Sequence, residues 1–475
     1  MTSGNSALQP FMNRGLAWAI AAFLGLSVLI LALMPRDCWS PVYTRDANAA
    51  APTNYCGMPC QAGCDMARSL YFKGKFVESD DETRIYTDYP PIYGVLVYAS
   101  LLGTAGSSIL PVLVLQVGLL LIWGLMAHWI VERHAPGWGT LAFALVAFNP
   151  NAIGIAFLPK TDLVAAVSVS AVLLCLLAYL RDHEAKWMVL AGIMFGIANN
   201  TRTAGQLLVL TLPVAMPLLV WIDGHRDRVA RTAGLGLAAT LIALAIQLPW
   251  LMHIYRVEGS LGMQSLRNTH QYQLTIYNVL SSQRDGLPLH QHLGDDIDPF
   301  PDSVHRAADP SWDSLDYSER YRRRNAKLKQ ANAEFSWRLY PYPLAYSTLR
   351  FFFTGGEGYL YDMLDIPHER DADRPKGGPE RVRFMAIKWW ARGFALATQA
   401  LALLGIWYLW RSGRFALLLL CVGGIFYYYA ITAMFGWSRF RLQTELPLKL
   451  LAVFGCVWLA QFLHRGAAAR SSPGS

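Results

Sequence analysis

Apolar residues in this chain gather in runs of about 18–24, the length a helix needs to cross a bilayer. They do so repeatedly between Gly15 and Leu463. A soluble chain of the same size would show shorter, amphipathic runs. Only 16% of the 475 residues are charged and 54% are hydrophobic, against roughly 25% charged in soluble domains. The expected fold class is therefore an all-α polytopic membrane protein.

Ten spans are expected, at 15–34, 107–131, 138–157, 163–180, 187–199, 204–222, 232–252, 391–410, 415–436 and 446–463. Residues 1–14 form a short N-terminal segment, and 15–464 form one transmembrane domain with two large loops, 35–106 and 253–390. The Ala, Ser and Gly-rich tail, 465–475, is expected to be disordered. The first apolar run reads as an uncleaved anchor, because the small-residue sequence Ala47-Asn48-Ala49 lies too far beyond it for a signal cleavage site. The stretch 90–104 is too short to span and suits an interfacial or re-entrant helix, with Pro90 and Pro91 favouring its first turn.

The formal charge is +8, and its arrangement sets the expected orientation. With the N-terminus inside, the short inner turns hold Arg133, Arg181, Lys186, Arg226, Arg228, Arg231, Arg411 and Arg414, as the bias of short cytoplasmic loops requires. Both termini are then cytoplasmic, and the two long loops face the periplasmic side of an inner membrane. No soluble module interleaves basic and aromatic residues, which excludes nucleic acid as a partner.

Of the 7 cysteines, Cys38, Cys56, Cys60 and Cys64 fall in the first long loop, whereas Cys175, Cys421 and Cys456 lie inside apolar runs. An even set in one external loop points to disulfides in an oxidising compartment. Zinc is the weaker reading, since paired two-residue spacings are its stronger signal.

On this layout several polar groups gather at the external face: Asp46, Asp65 and Asp88 of the first loop, Lys160 with Asp162, Arg202, and Arg439 with Arg441. Ionisable groups at membrane depth are costly unless paired or functional. Cations beside an acid suit a lipid phosphate, held by charge-assisted hydrogen bonds, with a carboxylate as general base. Each residue also has a plainer reading. Asp65 would be a solvated loop acid, and Asp88 would cap the Pro-Pro helix. Lys160 and Asp162 would pair at the interface, Arg202 would snorkel, and Arg439 and Arg441 would be anchors. His290 and His292 with Asp295, Asp296 and Asp298 read as a hydrophilic loop rather than a metal site, and Arg322, Arg323 and Arg324 as a solvated helix face. Walker A, HExxH and GxSxG motifs are absent.

The order of motifs resembles the GT-C superfamily of membrane glycosyltransferases, which use polyprenyl-phosphate sugars and include protein O-mannosyltransferases and lipid A aminoarabinose transferases. An acid-bearing first loop precedes Tyr89-Pro90-Pro91, and Lys160-Thr161-Asp162 opens the fourth span. Gly192 to Gly196 with Arg202 resembles a "G…GL…tR" segment. Pro249-Trp250 with Tyr255-Arg256-Val257-x-Gly259 resembles "PW…yrv-G", and Arg439-Phe440-Arg441 with Pro447 resembles "RyR…P". Each motif is short, and their shared order over most of 15–463 carries the likeness.

The resemblance implies inverting sugar transfer from a polyprenyl-phosphate donor to a periplasmic acceptor, with membrane lipids around it. No cofactor is firmly implied, and room is left for a divalent cation. The base role falls to Asp65, with Asp88 and Asp46 as rivals. Tyr89 stands where the aminoarabinose branch has a lysine touching phosphate, which passes that task to Lys160 or Arg202. Asp88-Tyr-Pro-Pro91 also resembles the glucosyltransferases that extend lipid-linked oligosaccharides. The competing class is a transporter or flippase of a lipid-linked saccharide, which would show inverted repeats and broken helices.

Overall fold

The computed structural model describes residues 9–34, 64–77, 84–287, 298–364, 366, 374–432 and 438–471. Among these the chain is helical, with no strand and one antiparallel bridge, Val77 to Ile85. Eight helices are long and apolar enough to cross a membrane, or nine if one bent pair counts as a single span. The protein is a multi-pass membrane protein.

In chain order the helices are α1 (Gln9–Leu33), α2 (Cys64–Arg68), α3 (Pro91–Gly103), α4 (Leu110–His134), α5 (Gly139–Ala147), α6 (Pro150–Ala156), α7 (Asp162–Asp182), α8 (Ala185–Asn199), α9 (Gln206–Ile222) and α10 (Val229–Glu258). The second long loop folds as α11 (Leu266–Arg284), α12 (Asp302–Ala308), α13 (Tyr317–Glu334), α14 (Pro341–Phe353) and α15 (Glu357–Met363). Then come α16 (Gly378–Arg411), α17 (Phe415–Thr432), α18 (Ser438–Arg441) and α19 (Glu445–Ser471).

Three elements depart from expectation. The expected third span is broken into α5 and α6, which meet at 53°. Asn149 caps α6 through its side chain and Pro150 follows as the first residue, so the backbone donors freed at the break are partly satisfied locally. The expected fifth span is α8, of 15 residues, about 22 Å long at the α-helical rise and below the roughly 30 Å of a bilayer core. It lies against α10 by virtue of its glycines: a Cβ on Gly192 would sit 2.5 Å from the Ala239 carbonyl oxygen, and one on Gly196 2.7 Å from Ile246. The tail expected to be disordered from 465 instead continues α19 to Ser471.

Two apolar clusters hold the bundle. The larger joins α1, α3, α4, α5, α6, α7 and α19, and the second joins α7 to α8, α9 and α10.

The two ends of the bundle differ in chemistry. At one end Arg414 donates to the His134 carbonyl at 2.9 Å, the Tyr179 and Thr232 hydroxyls lie 2.8 Å apart, and the His183 and His225 rings meet at 4.5 Å. These contacts gather the ends of α4, α7 and α9 with the starts of α8, α10 and α17. Gly15 of α1 lies beside Thr140 of α5 there too. The eight expected inner cations all belong to these turns. The opposite end carries the described parts of the long loops, with Asp65, Asp88, Lys160, Asp162, Arg202 and Arg441.

Candidate active site at the loop-bearing end of the bundle

The first loop docks on the last turns of α10 by apolar contact. Met66 and Tyr86 are buried with Trp250, Ile254 and Met263. The Trp250 indole donates to the Met263 carbonyl at 3.3 Å and stacks on His253, whose Nε2 lies 2.8 Å from the Tyr86 carbonyl oxygen. Cys64, the first residue of α2, is disulfide-bonded. Cys38, Cys56 and Cys60 lie outside the described residues, as do Asp46, His290, His292, Asp295 and Asp296.

Asp65 sits in the first turn of α2, where a carboxylate favours the helix dipole. Its side chain is 41% exposed, and Arg68 approaches it at 3.9 Å. Asp88 has a different setting. It does not cap the Pro-Pro helix, whose N-cap is Pro90 with no side-chain hydrogen bond. Its Oδ1 accepts from Arg84 at 2.8 Å and its Oδ2 from Arg267 at 2.9 Å, with the Ser265 hydroxyl at 3.4 Å from Oδ1. Two guanidinium groups outcompete a helix end for one carboxylate. Tyr89 beside it is exposed.

Glu258 was not singled out by sequence reasoning, although it occupies the unspecified position between Val257 and Gly259. It ends α10 and is 1% exposed. The Thr87 hydroxyl donates to its Oε1 at 2.5 Å and the Leu266 backbone N–H to its Oε2 at 2.7 Å, while Arg322 donates to its carbonyl oxygen. Buried carboxylates require such donors. Arg322, Arg323 and Arg324 are thus not a merely solvated face: Arg323 bonds Glu319 and Asp309, and Arg324 pairs with Asp302. Arg84 also lies 3.9 Å over the Tyr317 ring.

A second assembly forms where α7 begins. Asp162 is 3% exposed and forms an ion pair with Arg202, in the turn after α8. The Arg202 guanidinium lies 4.6 Å over the Phe440 ring, and the Lys160 ammonium 4.7 Å over that of Tyr359. Asp162 thus pairs with Arg202 across the open end of the α7–α8 hairpin. The ion pair also shows that α8, though short, returns the chain to the level where α7 starts. The two assemblies are neighbours, since the Ile92 N–H of α3 donates to the Asn200 carbonyl at 3.2 Å.

Arg441 is 2% exposed. Its guanidinium bonds Glu445 at 2.7 Å and the Phe351 and Phe352 carbonyls at 2.6 and 2.7 Å. Glu445 pairs in turn with Lys449 at 2.9 Å, which donates to the Thr398 hydroxyl at 3.2 Å. This buried series fastens α19 to α14 and α16. The Arg439 side chain lies outside the described residues.

Lys160 and Arg202 stand with Asp162, and Arg441 and Lys449 with Glu445, while Arg84 and Arg267 stand with both Asp88 and Glu258. No group of three or more metal-ligating side chains occurs among the described residues.

No protein-family model matches the chain, and no curated protein matches it. Among solved structures it is similar to the archaeal oligosaccharyltransferase AglB from Archaeoglobus fulgidus, in complex with an inhibitory peptide and a dolichol-phosphate. Identity is 14% and the TM-score 0.49, over 96% of this chain and 52% of that one. The chain spans about half the length of that protein.

Proposed function

We propose that this protein is a GT-C-type glycosyltransferase of an inner membrane, moving a sugar from a polyprenyl-phosphate carrier to an acceptor on the periplasmic side. The observation that carries the reading is the gathering at one end of the bundle of Asp65 and Asp88, the Lys160, Asp162 and Arg202 group and Arg441. The cation-rich turns collect at the other end, the cytoplasmic one on the charge rule.

In this reading Lys160 and Arg202 hold the donor phosphate, whose charge they match. The acceptor hydroxyl loses its proton to the Asp65 carboxylate as it attacks the anomeric carbon. The bond to the phosphate oxygen breaks on the opposite face, inverting the centre and releasing polyprenyl phosphate. Asp65 suits the base role better than Asp88 because its side chain is 41% exposed, whereas both oxygens of Asp88 are bonded to arginines and its side chain is 11% exposed.

The test is turnover by the purified full chain with polyprenyl-phosphate sugars and cell-envelope acceptors. Release of polyprenyl phosphate that needs Asp65 supports the reading. The break between α5 and α6 favours a second reading, transport of a lipid-linked saccharide. Movement of the intact donor across a liposome bilayer, without release of polyprenyl phosphate, would decide for transport.

A further inference from the structure

At the end of the bundle away from the acids, a shallow surface hollow lies between the last turns of α4 and α7. Ile130 and Leu177 contribute its apolar lining, and Trp129, Arg133, His134 and Arg181 the rest of its rim. The Arg133 guanidinium lies 3.1 Å over the Trp129 ring, and that of Arg181 lies 5.8 Å from the same ring. Arg181 is already engaged by Asp182 through two hydrogen bonds, at 2.6 and 2.8 Å. Arg133 has no ion pair of its own among the described residues. Arg414 closes the rim through its bond to the His134 carbonyl. The other nearby acid, Glu132, faces elsewhere, accepting from the Gly137 and Gly139 N–H groups at 2.9 and 3.0 Å. Three arginines against two carboxylates leave one positive charge beside an apolar floor.

A basic turn needs no such pocket merely to orient a helix, because an arginine in that role extends into water. Arg133 instead folds over an indole. Trp129 also continues a stripe on α4: Leu115, Ile122 and Trp129 recur at seven-residue spacing on one face, with Leu115 41% and Ile122 50% exposed. An apolar stripe facing lipid thus runs into a pocket with one uncompensated guanidinium.

We propose that this pocket binds a single anionic phospholipid, its phosphodiester on Arg133 beside Trp129 and one acyl chain along Ile122 and Leu115. Basic pockets between spans on the cytoplasmic side take such headgroups, and tryptophan sits at headgroup depth. The site lies away from the glycosyl-transfer groups, so it stands whether or not that reaction is the right one.

The test uses the full chain in detergent, with native mass spectrometry and thermal unfolding on addition of phosphatidylglycerol, phosphatidylcholine of the same chains, or inorganic phosphate. Phosphatidylglycerol should be retained preferentially, and Arg133→Gln should weaken its retention about fivefold, as loss of one interfacial cation implies. Arg411→Gln, at the same end but outside the pocket, should leave retention unchanged. Equal retention of the two lipids, or equal effects of the two variants, overturns the proposal. Stabilisation by inorganic phosphate equal to that by phosphatidylglycerol would show a free-anion site and overturn it as well.

Discussion

Arg202, in the turn that follows α8, forms an ion pair with Asp162, the first residue of α7. The pair closes the α7–α8 hairpin at the end where the long loops lie. It also fixes where the Arg202 cation stands relative to Lys160 two residues before Asp162. Removing one partner of a buried pair strands the other, at about 3–5 kcal/mol. Asp162→Asn and Arg202→Gln should each lower the melting temperature of the detergent-purified protein. The double variant should lose less than the sum of the two, since one neutral pair replaces one orphaned charge. Additive losses would mean the two side chains do not depend on each other.

Arg441 and Arg439 should separate in behaviour. Arg441→Ala removes the donor to Glu445 and to the Phe351 and Phe352 carbonyls, so the expected result is a large fall in folded yield and melting temperature. Glu445→Gln, which keeps the side-chain shape but removes the charge between two cations, should do the same. Arg439→Ala should raise the KM for the lipid donor. A donor KM that stays constant in Arg439→Ala would assign that residue to anchoring.

The choice of base is decided by a second contrast. Asp65→Asn should lower turnover about 100- to 10,000-fold, the usual reach of general base catalysis, with a smaller loss of melting temperature than Asp88→Asn. Asp88→Asn loosens Arg84 and Arg267 and should lower melting temperature first. Full turnover in Asp65→Asn would remove that residue from the mechanism.

The second loop should weaken in acid. Burial pushes the His305 imidazole below its ordinary value, with Lys327 and Arg324 adding to the effect. Burial pushes Asp298 and Asp302 up, but both end below the usual carboxylate value. Asp298 is brought down by His270 and the Phe300 N–H, and Asp302 by Trp312 and Arg324. For all three the folded-state pKa is depressed, so the unfolded chain binds more protons as pH falls. The His305 contribution is complete above about 6.5 and fades as pH falls from there, and the two carboxylates follow below about 3.9. Hydrogen exchange of α12 and α13 should speed up in two stages as pH falls, and His305→Phe should remove the first.

The apolar runs, the cation-rich turns and the short apolar helix at Pro91–Gly103 were legible in the sequence because length and charge placement alone define them. Three features were not. The 53° break falls at Asn149-Pro150-Asn151, a turn signal that the apolar length of the third span masked. Arg441 reads as an exposed anchor until α14 brings two carbonyls to it from ninety residues away in the chain. Glu258 sits next to a glycine in a run of unremarkable polarity. Only the docking of Thr87 and Leu266 on its carboxylate reveals it. Such partners are distant in sequence, and no local pattern announces them.

The bond between the Ile92 N–H and the Asn200 carbonyl joins the first loop to the end of α8 through main-chain atoms alone. Alanine scanning at position 92 would pass over it, because the bond itself involves no side chain. Drift in the residue type at 92 would leave the seam intact, with one exception: proline, which has no donor to give. A library of substitutions at that position should therefore show a single sharp loss of fitness amid broad tolerance.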